Sequence, residues 1–169
     1  MPRRLLLDGK IVDDEWRYLA EASDNAQAPL ILAFDQWQSG RDSWIARGGR
    51  LGVVLLPAHK VDQLVRDLPH LALVAAQFTG PSEGRGYTQG RLLRERWKYT
   101  GELRATGYVR RDQLFFLARC GFNSFEMSDA DIETASAVLS TFSAAYQPSN
   151  DAGLPLTLQR RRPDTPASA

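Results

Sequence analysis

Residues 51–78 read LGVVLLPAHKVDQLVRDLPHLALVAAQF. Leu51–Leu56 is an apolar run of strand length. Pro57 suits a first helical turn, where its missing N–H costs nothing. Val61, Leu64, Val65 and Leu68 then recur at helical spacing, and Pro69 ends that pattern. Leu71–Phe78 is a second apolar run. Two strands joined by a short helix make a βαβ unit, which implies a right-handed crossover and parallel pairing.

The same alternation continues toward the C-terminus. The spacing predicts a helix over 88–98, a strand over 102–106 and a helix over 109–119. Gly121 is placed as the left-handed cap of that helix. A strand over 122–127 follows, then Ser128 and Asp131 at capping-box spacing. Ile132, Ala135, Val138, Leu139, Phe142, Ala145 and Tyr146 form one stripe of a last helix. Toward the N-terminus, 29–34 reads as a buried strand. The segment 35–50 reads as loop with a short helix at most, and 15–22 as a turn or loop. Arg4–Leu7 and Lys10–Val12 flank Asp8-Gly9, a pair suited to a hairpin turn with positive φ. The expected fold class is therefore α/β. It has a mostly parallel sheet of four to five strands built from βα units, open or half-barrel-like, behind an N-terminal β-hairpin. One domain is expected over 1–147, and a flexible tail over 148–169 that carries Arg160–Arg162.

Length and composition narrow the function. The chain has 169 residues, 21 Lys+Arg against 20 Asp+Glu, two histidines and one cysteine. A net charge of +1 gives no overall field for nucleic acid or an anionic membrane. A lone cysteine excludes a disulfide framework and a CxxC knuckle, and two histidines exclude a His-rich metal site. No apolar run approaches the roughly 20 residues of a membrane span, and the N-terminus lacks a signal-peptide apolar region. A cytoplasmic protein with no metal is expected. The near-neutral total is a cancellation. Residues 85–119 hold nine basic residues against three acids, a net of +6, and residues 121–151 hold five acids and no Lys or Arg, a net of −5.

Ligands of parallel α/β sheets sit beyond the carboxyl ends of the strands. The loop TGPSEGRGYT (79–88) occupies such an edge. Its glycines admit close backbone approach, and the Arg85 fork suits a carboxylate, a phosphate or a sulfur oxyanion. The alternative is an ordinary loop in which Arg85 pairs with Glu83. The candidate anion-binding set is Arg85, Gly86, Tyr87, Arg104, Gly107 and Glu126, with Arg104 dependent on strand alternation aiming it into the pocket. GRGYTQG has glycine spacing close to a dinucleotide motif, but the expected acid after the next strand is replaced by Tyr108. Cys120 lies at a helix C-terminus, where the dipole disfavours a thiolate. The residues alone assign no catalytic group, no cofactor and no reaction.

GRGYTQGRLLRERWKYTGELRATG (84–107) and RDQLFFLARCGFNSFE (111–126) resemble the signature of bacterial domain-of-unknown-function family 934. The resemblance extends over most of residues 1–146. It implies an accessory or oxidoreductase-like role in sulfite reduction, with sulfite reductase or another sulfur-assimilation protein as partner, and it brings no catalytic residues with it. The chain departs from the family pattern at Tyr108, where an Asp is usual. The function expected is an accessory protein of assimilatory sulfite reduction. The alternative is a small α/β enzyme, or a degenerate one, holding a phosphate or sulfur oxyanion at the Arg/Gly-rich loop, and a third reading is an interaction protein docking through its basic tail.

Overall fold

The computed structural model describes residues 3–21 and 28–141, the last helix by its backbone alone beyond residue 135. The predicted tail over 148–169, with Arg160–Arg162, and the predicted helix end at Tyr146 lie outside the described residues.

The strands are β1 (Arg4–Leu7), β2 (Lys10–Asp13), β3 (Arg17–Tyr18), β4 (Leu30–Ala33), β5 (Leu51–Leu55), β6 (Leu73–Phe78), β7 (Glu102–Gly107) and β8 (Ser124–Phe125). They form one sheet in the order β2-β1-β8-β7-β6-β5-β4-β3. Strands β3 to β8 pair in parallel, whereas β1 is antiparallel to both β2 and β8. The sheet is thus larger than expected and mixed. The hairpin turn has the expected positive φ at Asp8 and Gly9. Its strands are not a separate ornament, because β1 extends the parallel sheet beyond β8.

From β3 to β8 the strand order follows the chain order. Right-handed crossovers that always step the same way place their helices on one face and curl the sheet. The chain also limits how open the curl can be. Three residues join β2, at one edge, to β3, at the other. Four Cα steps reach at most about 14 Å, whereas eight flat strands would be about 33 Å across. The sheet therefore curls into a half-barrel whose edges approach one another. Alternate strand residues divide accordingly. Leu32, Val53, Leu55, Val74, Ala76, Phe78, Leu103, Ala105 and Phe125 join the core under the helices. On the inner face Trp16, Ile31, Leu73 and Ala75 form a second cluster.

Several elements differ from expectation for local reasons. Residues 34–47 form a helix, α1 (Phe34–Arg47), where loop was predicted. Its apolar side is short, with Phe34 and Trp37 buried, so periodicity is weak. The Trp37 indole N–H donates to buried Asp67 at 2.7 Å. The helix breaks at Gly40, where the Trp44 indole occupies the side-chain space and donates to the Gln36 carbonyl at 3.1 Å. Residues 61–70 form a 3-10 segment that carries Pro69 inside it, with the predicted Val61, Leu64 and Leu68 buried. The helix after β6, α2 (Arg85–Arg91), widens into a π turn over Leu92–Arg96. A 3-10 turn (Arg111–Gln113) leads into α3 (Leu114–Arg119), and Gly121 follows at φ 99°. The last helix is α4 (Asp129–Thr141). Its first turn is capped as expected: Ser128 donates to the Asp131 carboxylate at 2.8 Å, and the Asp131 amide donates back at 3.3 Å. No helix among the described residues is long and apolar enough to cross a membrane.

Candidate functional site

Alternation along β7 and β8 sends Glu102, Arg104, Thr106, Ser124 and Glu126 toward the inner face, since Leu103, Ala105 and Phe125 pack under the helices. Arg104 is fully buried. Its terminal nitrogens donate to the two oxygens of Asp14 at 2.9 and 3.0 Å, and its Nε and one terminal nitrogen donate to Glu102 at 3.0 and 2.8 Å. Burial works against the charge, but the hydrogen bonds and fields of Asp14 and Glu102 outweigh it and hold the guanidinium above its usual range. Two carboxylates share one cation, so this buried group carries a net −1. Asp14 lies in the linker between β2 and β3. The pair therefore ties the closing strap to the middle of the sheet.

A second polar cluster is held near the carboxyl ends of the parallel strands. The Tyr18 hydroxyl donates to Glu126 Oε2 at 2.9 Å, and the Thr106 hydroxyl donates to the same oxygen at 2.9 Å. The two hydroxyls lie 3.3 Å apart. Arg3 reaches Glu126 Oε1 at 3.5 Å, and its guanidinium lies 5.0 Å from the Tyr18 ring centroid. On a flat sheet β3 and β8 would stand about 24 Å apart, so this contact exists because the sheet curls. Burial, and then the Glu126 charge, push the Tyr18 phenol up to about 12. Tyr18 is consequently a proton-bearing donor at neutral pH and not a base. Glu126 Oε2 is occupied by two hydroxyls, whereas Oε1 has one long contact with Arg3. That oxygen can accept from a ligand hydroxyl, amide or ammonium group. The inner face carries Asp14, Glu102 and Glu126 against Arg3 and Arg104, which favours a neutral or cationic ligand over an oxyanion.

The predicted site residues fall in different places. Glu126 and Arg104 lie on the inner face. Arg85 lies on the helix side, exposed, and grips Glu83: its Nε and one terminal nitrogen donate at 2.9 and 2.8 Å, and its backbone amide donates at 2.9 Å. Those bonds hold the Glu83 carboxyl down to about 2. Gly86 is needed for packing, since a Cβ there would lie 2.5 Å from the Phe78 ring. The Tyr87 ring packs edge-on to Phe78 at 5.2 Å. Gly107, at φ 84°, lets β7 end against the Phe78 carbonyl, which a Cβ would approach to 2.4 Å. The six residues thus do not converge on one pocket. Arg3, Asp14, Tyr18 and Thr106 were missed. The alternation of Arg104 and Thr106 with Ala105 was a usable signal, but nothing local links residues 3–18 to residue 126.

Other readings meet definite geometry. Strands β3 to β8 never reverse their order, so the switch-point crevice of a dinucleotide fold is absent among the described strands. Burial pushes the Cys120 thiol up, which suits a packed residue and not a nucleophile. No group of three metal-ligating side chains occurs among the described residues.

Comparison with known families matches residues 52–157 to the model described as bacterial protein of unknown function, DUF934. The chain belongs to this family. The matched span runs from the second residue of β5 through β8 and α2 to α4, and with them Arg104, Thr106 and Glu126, while Arg3, Asp14 and Tyr18 precede it. No functionally curated protein matches the chain.

Proposed function

We propose that this DUF934 protein is a cytoplasmic accessory protein of sulfite reduction that binds a small donor-bearing ligand at the Glu126 rim of its half-barrel. The observation that carries the binding site is the convergence of Tyr18, Thr106 and Arg3 on one carboxylate at the carboxyl ends of the strands. Functional sites of β/α barrels concentrate at that end. The sulfur context is supported by the resemblance carried by residues 84–126, and a sulfite reductase or another sulfur-assimilation protein is the natural partner. Glu126 orients the ligand by accepting its proton-bearing group, Tyr18 and Thr106 hold the carboxylate in place, and Arg3 balances its charge. The alternative, an enzyme or degenerate enzyme clasping a phosphate or sulfur oxyanion with Arg85 or Arg104, has weaker support, because Asp14 and Glu102 take up every nitrogen of the buried Arg104 and Glu83 takes up two of the three Arg85 nitrogens.

Deleting the gene is expected to abolish growth on sulfate or sulfite, with cysteine restoring it. Wild-type protein should complement the deletion, and Glu126→Gln at equal protein level should not. Normal growth of the deletion strain would remove the sulfur assignment, whereas full complementation by Glu126→Gln would remove the rim.

A further inference from the structure

On the helix side of the sheet, a cleft of about 270 Å³ lies between the loop after β5 and α2. Its walls include Lys60, Asp62, Arg85 and Gln89, with Val61 and Leu92 as apolar surface. Gln89 is buried. Its amide NH2 donates to the carbonyls of Leu56 and His59, both at 2.9 Å. Two carbonyls facing the nitrogen fix the orientation of the amide, because the flipped form would set oxygen against oxygen. The other end of the group, Oε1, is buried with no hydrogen-bond partner among the described residues. A buried acceptor without a donor is a costly feature that a ligand donor relieves.

The charges around the cleft are balanced in a particular way. Glu83 engages Nε and one terminal nitrogen of Arg85, and the remaining terminal nitrogen makes no hydrogen bond among the described residues. Lys60 is exposed beside it, and Asp62 supplies the single carboxylate of the lining. With Glu83 included, the surroundings sum to zero while offering cation and carboxylate on separate side chains. Such an arrangement matches a ligand that is itself neutral overall and carries both charges.

We propose that this cleft binds a small zwitterion of the α-amino acid class. Its carboxylate is held by Arg85 and Lys60, its ammonium donates to Gln89 Oε1 and faces Asp62, and a short apolar side chain lies against Val61 and Leu92. The site is separate from the Glu126 rim, because it is built on the helix side of the sheet.

The test is a titration of the full-length protein, ¹⁵N-labelled, with L-alanine, read at the Gln89 side-chain amide. Propionate and ethylamine, each lacking one of the two charges, are run beside it. Saturable shifts with L-alanine are expected, with affinity about tenfold weaker for either half-molecule. Lys60→Gln and Arg85→Gln, both surface substitutions that keep Gln89 intact, should weaken L-alanine binding by a similar factor. Equal binding of propionate would replace the zwitterion site with a simple anion site and overturn the proposal. Absence of a saturable shift, or an unchanged affinity in both variants, would overturn it as well.

Discussion

Arg104 shows how much one side chain can organise. It joins a mid-strand position to the strap that closes the sheet, and it is fully buried with Asp14. Removing one partner of such a pair leaves an uncompensated buried charge. Arg104→Met is therefore expected to destabilise the protein by about 3–5 kcal/mol, read by chemical denaturation. Arg104→Lys should recover little, since an ammonium cannot form the two-oxygen fork with Asp14. Tyr18 gives a pH signature. Its pKa is raised from 10.0 to about 12. The neutral phenol is favoured by folding, so its contribution is complete below pH 10 and is lost as pH rises through 12. Absorbance titration should find one tyrosine ionising near pH 12, absent in Tyr18→Phe. That variant should be less stable at neutral pH by about 1–2 kcal/mol, from loss of the hydrogen bond to the Glu126 carboxylate.

At the scale of elements, sequence and structure agree where the apolar pattern is strong and part where contacts are distant. The strands from Leu51 to Phe125 were legible because each buries alternate residues under helices. Helix α1 was not, since its burial rests on Trp37 and on an Asp67 that lies in another element. The glycines of 84–107 looked like ligand-approach positions, but Gly86 and Gly107 are packing positions. Gly86→Ala must displace the Phe78 ring and is expected to cost about 1–3 kcal/mol. Gly107→Ala meets backbone at positive φ and should cost at least as much. Gly84→Ala, where a Cβ meets nothing within 4 Å, should fall within about 0.5 kcal/mol of wild type. Thermal melts of the three variants check the order.

For the whole molecule, the uneven charge of the sequence resolves into closure. Among the described residues, acids of the −5 segment meet cations of the N-terminus. Glu126 meets Arg3, while Asp129 and Glu133 meet Arg4. Within the basic segment, Arg85 and Arg91 pair with Glu83 and Glu95, and Arg94 donates to the carbonyls of Tyr99, Gly101 and Gly121. The N-terminal strands therefore complete both the sheet and the site, which a reading confined to the 84–126 motif could not anticipate. Of the predicted site, Glu126 was legible from its position at a strand end. Its distant partners were not, because curling brings Tyr18 from 108 residues away at the opposite edge, and the pairing of β1 with β8 brings Arg3 from 123 residues away.

The proposed ligand site is the Glu126 rim. A thermal-shift screen of small hydroxyl-, amide- and amine-bearing metabolites, with sulfite and phosphate included, tests it most directly when run on wild type and Glu126→Gln together. Wild type should be stabilised by a neutral or cationic donor-bearing compound, and a folded Glu126→Gln should lose that stabilisation. Stabilisation by oxyanions alone, undiminished in Glu126→Gln, would contradict it.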